Sequence, residues 1–169
     1  MASIWEELMA ALQLRESSNN PNALSDKGAV GLFGIMPGDA MEPLRKGVPS
    51  VFDAARSLGF DVQDETLDES KRLLRDPDIN RAIAEPYLRE LMTKYNWDID
   101  KALTAYNAGP KQLDDVLSRG LGFEALNRPE QRTYARDMNR DYESLHGKPM
   151  PTNSVLVSPR PKARPMRGM

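Results

Sequence analysis

The chain has 169 residues, a net charge of −2 and 28% charged residues, which fits one domain with a sizeable core. It has no cysteine and a single histidine, His146. That excludes disulfides, thiolate metal sites, a cysteine nucleophile, an ordinary serine–histidine–aspartate triad and a histidine-built zinc site.

The first residues, Met1 to Glu7, carry acids where a secretory signal would carry lysines and an apolar run, so a chain made without a signal peptide is expected. Ser3 and Glu6 have capping-box spacing and open a first helix. Its predicted inward side holds Ile4, Trp5, Leu8, Ala11, Leu12 and Arg15. The turn residues Ser18-Asn19-Asn20-Pro21-Asn22 end it near Ser17. The stretch Gly28-Ala29-Val30-Gly31-Leu32-Phe33-Gly34-Ile35-Met36-Pro37 is too apolar for a surface loop and reads as buried irregular or short extended backbone. Its glycines allow close approach of the backbone to a ligand or to a helix.

Two short helices are expected near residues 50–58 and 67–75. Asp76-Pro77 then supplies a cap and an N1 proline for a longer helix, with Ile79, Ile83, Tyr87, Leu91 and Tyr95 inward and a kink at Pro86. Asp98 caps the next helix, which stops at Gly109-Pro110, and another follows over about 110–118. Asn127-Arg128-Pro129-Glu130 reads as a second capping box. It opens a last helix with Tyr134, Ala135, Met138, Tyr142 and Leu145 inward. The predicted fold is all-α, with no strand alternation.

The body is expected over residues 1–146 and an extended tail over 147–169, which holds five prolines and the apolar cluster Val155-Leu156-Val157. The tail has five cations and no acid, so the net −2 divides into +5 for the tail and −7 for the body. An acidic body argues against nucleic-acid binding. No run reaches the ~18 apolar residues of a membrane-spanning helix.

Glu16 sits in the last turn of the first helix. The helix dipole and the neighbouring apolar glycine-rich segment both disfavour its ionised form, as a general acid requires. Tyr106-Asn107 lies just before a glycine cap, where a tyrosine can bond a carboxylate and an asparagine a sugar amide or hydroxyl. Taken singly, each of these residues reads more simply as an exposed helix end, core packing or an ordinary cap.

Together they resemble the catalytic domain of the soluble lytic transglycosylases, relatives of goose-type lysozyme. The matching features, in order, are Glu16-Ser17, Pro21-x-Ala23-x-Ser25, Gly28-Ala29-x-Gly31-Leu32, Met36-Pro37 and Ala105-Tyr106-Asn107-Ala108-Gly109-Pro110. Asp76-Pro77 with Asn80, Tyr87-Leu88, and Glu130-x-x-x-Tyr134 match further, so the resemblance covers residues 4–145. One departure is clear: Gly34 stands where the family usually has a glutamine in the substrate groove.

The resemblance implies a lysozyme-like fold and peptidoglycan glycan strands as substrate. It implies Glu16 as the single acid/base and Tyr106 as the group that orients it or polarises the sugar. Ser17, Ser25, Gly34, Ile35, Met36 and Asn107 are the expected substrate-side residues, and no metal or organic cofactor is needed. Similar domains occur in ejected bacteriophage proteins. A virion component acting in the host periplasm and cell wall is therefore expected, with the tail docking on other virion proteins. A lysozyme-type hydrolase, an endolysin and a catalytically weakened structural virion component remain as alternatives.

Overall fold

A computed structural model describes residues 1–152, which form seven α-helices and two single-turn 3₁₀ helices. The helices are α1 (Ile4–Ser17), α2 (Val51–Ser57), α3 (Leu67–Leu73), α4 (Pro77–Lys94), α5 (Ile99–Ala108), α6 (Pro110–Ser118) and α7 (Pro129–His146). Among the described residues there is no strand. The glycine-rich stretch carries only isolated bridges, Leu24 to Val30 and Val30 to Ile35. The expected all-α architecture with a buried irregular segment is what forms. None of these helices is long and apolar enough to cross a membrane.

The caps explain most boundaries. Ser3, Ser50, Thr66, Asp76 and Asp98 each accept a backbone N–H in the first turn of their helices, satisfying donors that the helix itself leaves free. The box at Ser3 is half made, because the Glu6 carboxylate turns to Arg81 at 2.8 and 2.9 Å. At α7 the cap is Arg128, one residue later than expected, and it is Gln131 whose side chain accepts from the Arg128 N–H at 3.1 Å. Glu130 is thereby left to face elsewhere. The helix α4 continues through Pro86.

The core is continuous. Ala102, Leu103 and Ala105 of α5 are fully buried, and α5 packs on α4, α6 and α7, while α1 packs on α7. One face of α5 is thus buried, while Asp100 near its start stays exposed. Met9 joins Leu8, Ala11 and Leu12 in the core, whereas Leu145 is 45% exposed, so α7 turns its last apolar residue outward.

Polar contacts hold α1 at both ends. Near its start, Trp5 donates to Glu85 at 2.8 Å and the Arg89 guanidinium lies 3.9 Å from the Trp5 ring. Further along, Glu7 meets Tyr142 and Lys148, and Arg15 pairs with Asp141. Met150 is buried against the body and its N–H donates to Asn139, so packing extends past residue 146. The apolar cluster at 155–157 lies outside the described residues.

The glycine-rich segment is pinned by Asn80 on α4, which is fully buried. Its Oδ1 accepts from the Phe33 N–H at 2.9 Å, and its Nδ2 donates to Val30 O at 2.9 Å and Leu74 O at 2.8 Å. Gly31 has φ +83°, and a Cβ there would overlap Asn80 Nδ2 and Leu74 O. A side chain at 31 is therefore excluded by a neighbouring helix and not by a ligand.

Candidate active site

Glu16 continues a buried stripe. Leu8 and Leu12 are fully buried, and Glu16 follows at the same four-residue spacing, so its side chain points the same way. A carboxyl group thus stands where a third leucine would fit. The helix ends just beyond it. Ser18 and Asn19 adopt left-handed backbone, at φ +53° and +64°, and the Ser18 N–H closes on Leu14 O at 2.9 Å.

The two carboxyl oxygens have different surroundings. Oε1 accepts a hydrogen bond from the Tyr134 hydroxyl. Oε2 lies over Gly34, where a Cβ atom would stand 2.5 Å from it. Burial raises the Glu16 pKa above the ordinary carboxylate value, and the Tyr134 bond and the nearby Arg15 charge oppose this. Tyr134 and Tyr106 are themselves pushed well above the usual phenol value by burial and by Glu16, so both remain hydrogen-bond donors.

A groove runs past this carboxyl in two halves. One encloses about 420 Å³ and is bordered by Glu16, Ser25, Asp26, Lys27, Ala29 and Glu130. The other encloses about 260 Å³ and is bordered by Ile35, Asp39, Leu44, Tyr87, Ala108 and Gly109. Gly34, Met36, Tyr106 and Asn107 border both, so the halves meet beside Glu16.

Glu130 is a second acid in the first half. Its position at the start of α7 and its ion pair with Lys27 at 3.1 Å hold its pKa down, the helix-terminal backbone N–H contributing most. Of the carboxyl groups that border the groove, Glu16 is thus inclined to keep its proton and Glu130 to lose it.

Most of the residues singled out in the sequence converge here. Glu16, Ser25, Gly34, Met36, Tyr106 and Asn107 border the first half, and Ile35 the second. Asn107 borders both halves of the groove, and its Oδ1 is buried and has no hydrogen-bond partner. Ser25 accepts the Ala29 N–H at 2.9 Å and so shapes the wall of the groove. Ser17 does not border it. Its hydroxyl donates to Gln13 O at 3.0 Å within α1.

Tyr106 is close to Glu16 but its hydroxyl donates to Phe33 O at 2.8 Å, holding the loop instead of the acid. The residue bonded to the acid is Tyr134, which from the sequence reads as a core residue. The signal was present in Glu130-x-x-x-Tyr134. Residues four apart share a helix face, so a glutamate at the groove's rim places the tyrosine one turn deeper, beside Glu16.

Comparison with known proteins identifies the family and the fold. The family model for the transglycosylase SLT domain matches residues 1–127. Two solved structures share the fold: an inactive mutant of the lytic transglycosylase Slt from Pseudomonas aeruginosa and the 70 kDa soluble lytic transglycosylase from Escherichia coli. Each superimposes with a TM-score of 0.60 at 23% identity. The matches cover 86% and 85% of this chain but 22% of each of those chains. The chain thus spans about a fifth of the length of these larger proteins. With the family model covering three quarters of its length, the chain belongs to the transglycosylase SLT domain family.

Proposed function

We propose that this domain is a peptidoglycan lytic transglycosylase that cleaves the β-1,4 bond between N-acetylmuramic acid and N-acetylglucosamine. The observation that carries this reading is the Glu16 carboxyl, buried at the junction of the groove and disposed to hold a proton. In the proposed reaction Glu16 protonates the bridging oxygen as the glycosidic bond breaks. The substrate's own N-acetyl group stabilises the cationic sugar, a variant of the usual two-carboxylate scheme. Glu16, now ionised, takes the proton of the muramoyl C6 hydroxyl. That oxygen attacks the anomeric carbon, closes a 1,6-anhydro ring and returns the acid to its starting form. No water is consumed.

Tyr134 holds the carboxyl during both transfers, Asn107 lines the groove where a sugar amide or hydroxyl would lie, and Tyr106 fixes the loop beneath. Glu16→Gln is expected to abolish glycan release from purified peptidoglycan in a zymogram while circular dichroism stays unchanged. Equal release by both proteins would refute the assignment. Mass spectrometry of the products separates the chemistry further. Anhydromuramoyl ends support transglycosylation, and reducing ends would make the domain a hydrolase using Glu130 or Asp26 to activate water.

The setting we propose is a bacteriophage particle, with the domain opening the host wall locally during genome ejection. The charge split supports it, since a basic 147–169 segment suits an acidic surface on another particle protein. Detection of the chain in purified particles tests this, and its appearance only in lysates would favour an endolysin.

A further inference from the structure

A cavity of about 440 Å³ lies between the start of α5 and the middle of α7, and none of the residues bordering it borders the groove. Its apolar wall is formed by Ile99, Phe123, Ala135 and Met150. Ile99, Ala135 and Met150 are buried, and Phe123 packs against the core. The charged groups of the cavity are turned elsewhere. The Arg132 guanidinium donates to Leu126 O at 2.7 Å, the Arg136 side chain is 74% exposed, and Asp100 lies at the surface.

The described residues end at this cavity. Pro151 and Thr152 border it. The chain arrives there from a pinned point, because the Met150 N–H donates to Asn139, itself a bordering residue, at 2.9 Å. The next seven residues, Asn153-Ser154-Val155-Leu156-Val157-Ser158-Pro159, carry no charge, and the first cation beyond Thr152 is Arg160. An extended chain advances about 3.3–3.6 Å per residue, so Val155 stands within roughly 11 Å of Thr152 and Val157 within roughly 18 Å. An uncharged apolar segment is thus tethered at the mouth of an apolar cavity. Its effective concentration there is on the order of millimolar, which favours the chain's own segment over the same segment of a second copy.

We propose that the cavity walled by Ile99, Phe123, Ala135 and Met150 is the seat of Val155-Leu156-Val157 of the same chain. The gain comes from removing three aliphatic side chains from water. The cluster also fixes where the basic part departs. Arg160, Lys162, Arg164 and Arg167 follow within ten residues of Val157, and so leave the body at one place, separate from the groove. None of this depends on the chemistry at Glu16.

The test uses the full chain with ¹³C-labelled valine, leucine and methionine methyl groups. The Leu156 methyl resonances, assigned by their loss in Leu156→Ala, are expected to show NOEs to the Phe123 ring and the Met150 methyl. Leu156→Asp sets a charge against the apolar wall. It is expected to remove these NOEs at residues 155 and 157 as well and to lower the Tm by on the order of 4 °C. Met166→Asp, which changes an apolar residue beyond the cluster, is expected to leave both readouts as in the parent.

Leu156 methyls without NOEs to either group, or a Leu156→Asp chain that melts with the parent, would overturn the inference. NOEs that arise between labelled and unlabelled chains in a mixed sample would overturn it too, assigning the cavity to a second copy.

Discussion

At the residue scale the central fact is a carboxyl group placed in a leucine's position. Burial raises the Glu16 pKa and the Tyr134 hydroxyl partly restores it. Tyr134→Phe removes that opposing bond and leaves the burial, so the Glu16 pKa rises further. The alkaline limb of the kcat/KM profile is then expected to move to higher pH, with kcat reduced about tenfold. A profile with the parent's limb would show that the tyrosine only packs. The same shift has a cost in stability. Because the folded pKa lies above the ordinary 4.5, the folded chain binds the extra proton. Stability is complete below the unfolded value and declines as pH rises through the folded one. Glu16→Gln, which never ionises, is expected to melt above the parent at pH 7, with the difference vanishing below the ordinary carboxylate range. Thermal unfolding across pH checks this.

At the element scale, the irregular segment between α1 and α2 is held by side chains and not by a sheet ladder. Asn80 alone satisfies two carbonyls and one N–H of buried backbone. Asn80→Leu keeps the branching of the side chain and strands all three, at a cost of about 3 kcal/mol or more. Urea unfolding should show that loss, and a cost below about 1 kcal/mol would mean that the loop finds other partners. Glu130 and Gln131 show how one helix start divides its duties. Gln131 closes the α7 cap, which frees Glu130 to reach Lys27 across the groove. That pair is half exposed at both ends, so it adds little to stability.

At the scale of the whole molecule, the described body does not stop at the end of α7. Lys148 reaches Glu7 on α1, and Met150 packs into the core cluster. A chain cut after His146 is expected to melt below one cut after Thr152, because burying a methionine is worth about 1.5–3 kcal/mol. The longer truncation is expected to keep the glycan-cleaving rate of the full chain within twofold. A large loss of rate on removing residues 153–169 would assign the basic segment to the catalytic unit, and equal melting of the two truncations would show that residues 147–152 contribute nothing.

The helices were legible in the sequence because their causes are local. Caps such as Ser3, Asp76 and Asp98, the turn after Ser17 and the stop at Gly109-Pro110 act within a few residues of the boundaries they set. The motif order also carried the family and drew Glu16, Gly34 and Asn107 to one place. Which tyrosine bonds the acid was decided by packing, since Tyr134 lies 118 positions from Glu16 and only the seating of α1 against α7 brings them together. The same contact between distant elements set Gly34 beneath the carboxyl and turned Leu145 outward. Local propensity acts over one turn of chain, whereas a site is assembled by whichever faces the tertiary fold presses against each other.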